Sequence, residues 1–115
     1  MIVDMACIFC AIAGGEIPAT VVHETDNVVA FRDLKPVAPV HVLVIPRTHY
    51  RDVRELSGDA TTAAEVLQVV EAVAGAEGLD DGFRVVFNTG SDGGQEVDHV
   101  HAHVIGGRHM EWPPG

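Results

Sequence analysis

The run Val97-Asp-His-Val-His-Ala-His-Val-Ile105 limits what this chain can fold into more than any other stretch. Side chains on a strand alternate between two faces. As a strand, this run turns His99, His101 and His103 to one side. Asp98, Val100, Ala102 and Val104 turn to the other, and three of those four are small or apolar. One face can then pack on a core while the other presents a row of imidazoles. Seven histidines in the whole chain leave few to gather on one strand face by accident. Clustered histidines mark metal binding or acid–base chemistry. A tri-histidine metal site and a chance cluster on a wet edge are the alternatives.

The length of 115 residues predicts one domain, 1–115. The chain is 47% hydrophobic but only 5% aromatic, so aliphatics and alanine must fill its core. A net charge of −10 argues against nucleic acid or an anionic membrane as partner, since both are bound through excess Lys and Arg. A small anionic ligand needs only a local cluster of donors and is not excluded. No apolar run approaches the length of a membrane span. The segment Met1–Cys7 has no basic stretch followed by a long apolar one, so no signal peptide is expected. A reducing cytoplasmic setting follows.

Cys7-Ile-Phe-Cys-Ala-Ile-Ala13, closed by Gly14-Gly15, predicts a short helix. Thr20–Glu24 and Val28–Arg32, joined by turn-forming Thr25-Asp-Asn27, predict a hairpin. Val40–Pro46 is nearly all apolar and predicts a central strand buried on both faces. Between about Ser57 and Glu77 the period changes to that of a helix. Val66, Val70, Val73 and Ala74 share one face, with Leu67 beside them. Ser57 or Asp59 is placed to cap its start, and Gly75 and Gly78 mark its end. Phe83–Asn88 and Val97–Ile105 complete five strands, and the tail 106–115 has no periodicity. The expected class is α+β, a mainly antiparallel sheet with one long helix and a short N-terminal one.

A glycine-rich loop running into a histidine strand suits phosphate chemistry. Ser91-Asp-Gly-Gly94 can turn several backbone N–H groups toward one point and form an anion nest, or be an ordinary hairpin loop. Asn88 at the end of the neighbouring strand can donate to a phosphoryl oxygen. A neutral imidazole is a competent nucleophile toward phosphorus, and a covalent intermediate splits one displacement into two. The middle histidine is best placed for that work, because its neighbours can orient it and supply protons. Cys7-x-x-Cys10 stays open on these grounds. It is a redox pair, two core thiols, or half of a tetrahedral zinc site completed by histidines such as His49 and His99.

His99-Val-His-Ala-His-Val-Ile105 resembles the signature of the histidine-triad family, in which histidines alternate with hydrophobic residues. Arg84–Gln95, Gly106–Gly115, Ile17-Pro-Ala19, Phe31-Arg-Asp33 and His41–Pro46 resemble the nucleotide-binding branch of that family, so the likeness runs from about Cys7 to Gly115. The resemblance implies a homodimer whose protomers pair through helix and sheet into one ten-stranded sheet. It implies a purine nucleotide pocket and hydrolysis of nucleoside phosphoramidates or related adenylates. By motif position, His101 is the nucleophile, His103 contacts the phosphate, and His41 stands behind His103. Asn88 and the Ser91-to-Gly94 loop, with Gly93, Gly94 and the adjacent Gln95, match the phosphate side. Asp33 matches the acceptor for the ribose hydroxyls, and Ile8, Phe9, Phe31 and Leu34 match the walls around the base. Trp112 matches a tail residue that reaches the partner protomer's site. Zinc held by Cys7, Cys10, His49 and His99 is also implied, as a structural ion that takes no part in the chemistry.

One position departs from the pattern. Where this branch commonly has a serine two residues after the Gly-Gly pair, this chain has Glu96. An ionised carboxylate cannot donate a proton to a leaving group. Three other functions share parts of the pattern: a dinucleoside polyphosphate hydrolase, a nucleotide-binding adaptor with little turnover, and a pure zinc-binding module.

Overall fold

The computed structural model describes residues 7–115, so the leader reading of the first residues lies outside the described part. Its elements are α1 (Ile8–Ala13), β1 (Val21–Glu24), β2 (Val28–Arg32), β3 (Val40–Pro46), α2 (Val53–Leu56), α3 (Ala60–Ala76), β4 (Phe83–Val86) and β5 (Ala102–Gly106). The strands form one antiparallel sheet in the order β1-β2-β3-β5-β4. The α+β class is as the sequence predicts. So are the hairpin of β1 with β2 and the central place of the apolar strand β3.

Alternation along the strands divides the core in two. Val42 and Val44 of β3 join Val28, Ala30, Val100, Ala102 and Val104 under α3. Leu43 and Ile45 turn to the other face, where they meet Cys7, Phe9, Val29 and Phe31 beneath α1. Helix α3 buries Val66, Val69, Val70, Val73 and Ala74 against the first face. Leu67, expected beside that stripe, is 56% exposed, and Val69 takes its place. Asp59 rather than Ser57 caps the helix, accepting from the Thr62 amide at 3.1 Å. Gly78 follows its end with φ +70°, a conformation that favours glycine.

Two strands are shorter than expected at the end near the histidines. The fifth strand begins at Ala102 rather than Val97, and the fourth ends at Val86 rather than Asn88. The β3–β5 ladder reaches Val44↔Ala102 and stops. Beyond it lies Pro46, which has no amide hydrogen to give. Its carbonyl is taken by the ring of His99 at 2.8 Å. The chain from 97 to 101 therefore runs beside the sheet, tied by the Val100 amide to the Tyr50 carbonyl at 2.7 Å. Side-chain alternation survives: Val100 is in the α3 core, while His99 and His101 face α1. Helix α2, not anticipated, is capped by Asp52, which accepts from the Arg54 and Glu55 amides and is held by the Arg54 guanidinium at 2.7 Å. Its signal was Asp52-x-x-Glu55. Among the described residues, no helix is long and apolar enough to cross a membrane.

Ile45 is fully buried against α1. Ile45→Ala is expected to lower unfolding stability by about 2–5 kcal/mol. A urea titration checks this, and an unchanged midpoint would contradict the placement of α1 on that face.

Candidate active site

The histidines on the α1 face are held by hydrogen bonds that fix where each proton sits. His101 Nδ1 lies 2.8 Å from the carbonyl oxygen of His99. A carbonyl only accepts, so Nδ1 carries the proton and Nε2 keeps its lone pair. Phe9 packs edge-on against this ring, with centroids 5.0 Å apart, and limits its rotation. His41 Nδ1 accepts from the Val37 amide at 3.2 Å, which puts the His41 proton on Nε2. That Nε2 faces His103 Nδ1 at 2.9 Å and Asp33 Oδ2 at 3.4 Å. His41 therefore donates, His103 Nδ1 accepts, and the proton of His103 sits on Nε2. His103 Nε2 is buried and has no hydrogen-bond partner among the described residues. The rings of His101 and His103 are 4.9 Å apart. A lone pair and an uncommitted N–H thus stand side by side.

Burial keeps both rings neutral. It pushes His103 down to about 4, helped by the neighbouring His101 and His41. His101 is also lowered by burial, against its bond to the His99 carbonyl and the charges of Asp33 and Glu96. A neutral imidazole is the form that can attack phosphorus.

A cavity of about 330 Å³ opens at these rings, lined by Asp33, Lys35, Val37, His41, Asn88, Gly94, Glu96, His101 and His103. A second of about 330 Å³ adjoins it, walled by Ile8, Phe9, Ile12, Ile17, Pro18, Phe31, Leu34 and Leu43. The two share Asp33, Lys35 and Glu96. A polar end joined to an apolar end suits a ligand with a charged group and a flat apolar one. A hollow of about 390 Å³ by Leu79, Asp81 and Arg108 lies elsewhere, and its polar side chains are all exposed.

The structure brings most of the predicted residues to these cavities. Asn88 and Gly94 line the polar one, and Ile8, Phe9, Phe31 and Leu34 line the apolar one, although Leu34 is 94% exposed. Ser91, Gly93 and Gln95 line neither. Gly93 shapes the loop, since a Cβ there would run into the Thr89 backbone. Gln95 clamps it: its amide nitrogen donates to the carbonyls of Arg51 and Val97, and its amide oxygen accepts from the Gly90 N–H. Trp112 is 81% exposed and lines neither cavity. Sequence reasoning passed over Lys35, Ile12 and Leu43. Ile12 follows Ile8 by one helical turn, and Leu43 shares the face of His41.

A second cluster lies behind the reactive rings. One donor atom each from Cys7, Cys10, His49 and His99 converges within 4.8 Å. His99 Nε2 donates to the Pro46 carbonyl, so its Nδ1 lone pair faces Cys7 Sγ at 3.4 Å and Cys10 Sγ at 3.5 Å. His49 Nδ1 lies 3.2 Å from Cys10 Sγ. Sulfur and nitrogen ligands of a tetrahedral zinc stand about 3.5 Å apart, given Zn–S near 2.3 Å and Zn–N near 2.0 Å. Burial lowers His99 to about 4, which keeps that lone pair available. Donor type, number and spacing fit zinc. Asp33, His41 and His103 also converge within 4.8 Å, but there a hydrogen bond joins the two rings.

The HIT domain model matches residues 14–110. A 14 kDa zinc-binding protein of Brassica juncea is 48% identical over 115 residues, 94% of this chain and 98% of that protein. The adenylylsulfatase HINT1 of Arabidopsis thaliana is 46% identical over 97% of this chain and 78% of its own length. A HIT family hydrolase from Legionella pneumophila superposes with a TM-score of 0.91 at 51% identity, covering 95% of this chain and 99% of that one.

The neutral state of His103 gives stability a pH signature. Folding holds this ring near 4, whereas an unfolded histidine titrates near 6.5. Its contribution is complete above about 6.5 and is lost as pH falls from there toward about 4. In His103→Asn the urea midpoint should fall less steeply across that window than in wild type. Equal slopes would contradict the assignment.

Proposed function

This chain belongs to the HIT domain family, and from that premise we propose that it hydrolyses the α-phosphate bond of purine nucleoside phosphoramidates or related adenylates through a nucleotidyl-histidine intermediate. The observation that carries this reading is the pairing of protonation states on neighbouring rings, a His101 Nε2 lone pair and an uncommitted His103 Nε2–H. The base lies in the apolar cavity and Asp33 accepts from the ribose. Asn88 and His103 Nε2–H hold the α-phosphate, and the Ser91-to-Gly94 loop closes that side of the cavity through Gly94. His101 Nε2 gives its lone pair to phosphorus. The bond from phosphorus to the leaving group breaks, and the leaving atom departs with the electrons of that broken bond and takes a proton from water. A second water gives a proton to the hydroxide so formed as its oxygen attacks phosphorus, the N–P pair returns to Nε2, and the nucleotide leaves. Fixed donors around the phosphoryl oxygens and in-line positioning supply most of the rate gain.

The metal reading joins this one. Cys7 and Cys10 at the start of α1, His49 after β3 and His99 before β5 hold a structural zinc. Four protein ligands close the site and tie α1 to the reactive segment. A reducing cytoplasm keeps the thiolates available. The chain acts as one domain across 1–115 and as a homodimer. Phe83 and Val85 on the edge strand β4, and Leu67 on α3, leave apolar surface for a second copy. The partner's tail then brings Trp112 toward this site.

Two measurements test these readings. His101→Asn should keep nucleotide binding and lose turnover of an AMP-linked amine by roughly a thousandfold or more. Normal turnover in that variant would sink the mechanism, and faster hydrolysis of a diadenosine polyphosphate by wild type would favour the other hydrolase reading. Metal analysis should find one zinc per chain in wild type and none in Cys10→Ser, with a lower Tm in the variant. Wild type free of zinc would overturn the metal site.

A further inference from the structure

Glu96 stands where the two cavities meet, together with Asp33 and Lys35. Asp33 is held in place: its Oδ1 accepts from the Lys35 amide at 2.7 Å, and its Oδ2 lies by His41 at 3.4 Å. Glu96 is exposed and makes no hydrogen bond or ion pair among the described residues, yet its charge is felt at His101. The cations nearby are few. Arg32 lines the apolar cavity but is paired with Glu77 at 2.5 Å. Lys35 is the one ammonium lining both cavities, against two carboxylates. With His101 and His103 uncharged and His41 accepting at Nδ1, the junction carries net negative charge. The donors set for a phosphoryl group there, Asn88 and the His103 N–H, are uncharged.

An in-line attack by His101 expels the leaving group on the side of phosphorus opposite that ring. Glu96 is the exposed carboxylate on that cleft. We propose that Glu96 sorts leaving groups by charge, favouring amines that carry a positive charge and opposing sulfate or a further phosphate. The assignment rests on the function proposed above. Like charges in a partly wet cleft repel and opposite charges attract, and both effects weaken with salt.

The test compares two substrates: AMP joined through a P–N bond to ethylenediamine, whose free end is cationic, and adenosine phosphosulfate. Wild type, Glu96→Gln and Glu96→Asp are assayed beside His101→Asn. The ratio of kcat/KM for amine over sulfate should fall about tenfold in Glu96→Gln, as expected for removing one charge at close range. It should hold in Glu96→Asp, and the difference should shrink in high salt. A ratio unmoved by Glu96→Gln, with turnover that still needs His101, overturns the charge selection alone. Absence of His101-dependent turnover on both substrates overturns the proposed function instead. Charge selection is then read from binding to the His101→Asn protein, with AMP–ethylenediamine against ADP. The same shift in Kd ratio on adding Glu96→Gln supports it, and no shift overturns it.

Discussion

The hydrogen bond from the His101 ring to the carbonyl of His99 is the contact on which the reactive site rests. It exists because the backbone leaves the sheet ladder before Ala102. A buried carbonyl freed from a ladder must find another donor. Here the donor is an imidazole two residues on. The bond fixes a tautomer, and the tautomer decides which nitrogen is free to act. The same residue sends its own ring the other way, toward Cys7 and Cys10, with its second nitrogen on Pro46. His99 therefore uses its side chain for the donor cluster and its main chain for the reaction centre.

The two faces of the sheet divide the labour. The α3 face is built of valine, alanine and leucine and asks nothing of its neighbours but volume. The α1 face mixes Phe9, Phe31, Leu43 and Ile45 with rings of His41, His99, His101 and His103. Its low polarity holds the imidazoles of His99, His101 and His103 neutral, and its hydrogen bonds give each ring a single orientation. Phe9 serves both demands, touching the edges of His99 and His101 and walling the apolar cavity.

Much of this was legible from residue pattern. Period-two alternation placed His99, His101 and His103 on one side, and that holds although only His103 lies within a strand. The apolar run Val40–Pro46 announced the central strand. What stayed hidden depends on contacts between distant segments. The start of β5 is set by Pro46 and its capture by His99, residues 53 positions apart. The proton positions hang on the Val37 amide and the His99 carbonyl, neither of which has a side-chain signature. Gln95 reads as a ligand contact by its place in the motif, yet its amide is spent on the backbone of Gly90, Arg51 and Val97. Leu67 sits beside the helical stripe by count, but the buried face runs through Val66, Val69, Val70 and Val73 and leaves it outward.

The buried Nε2–H of His103 carries a consequence for how a ligand would be felt across the molecule. A buried donor without an acceptor costs about 1–3 kcal/mol. The fold bears that debt at the point where a phosphoryl oxygen would sit. An oxygen arriving there gives that donor its acceptor. His41 and the Val37 amide stand in line behind the same ring, so whatever accepts from His103 is joined through two hydrogen bonds to the turn before β3.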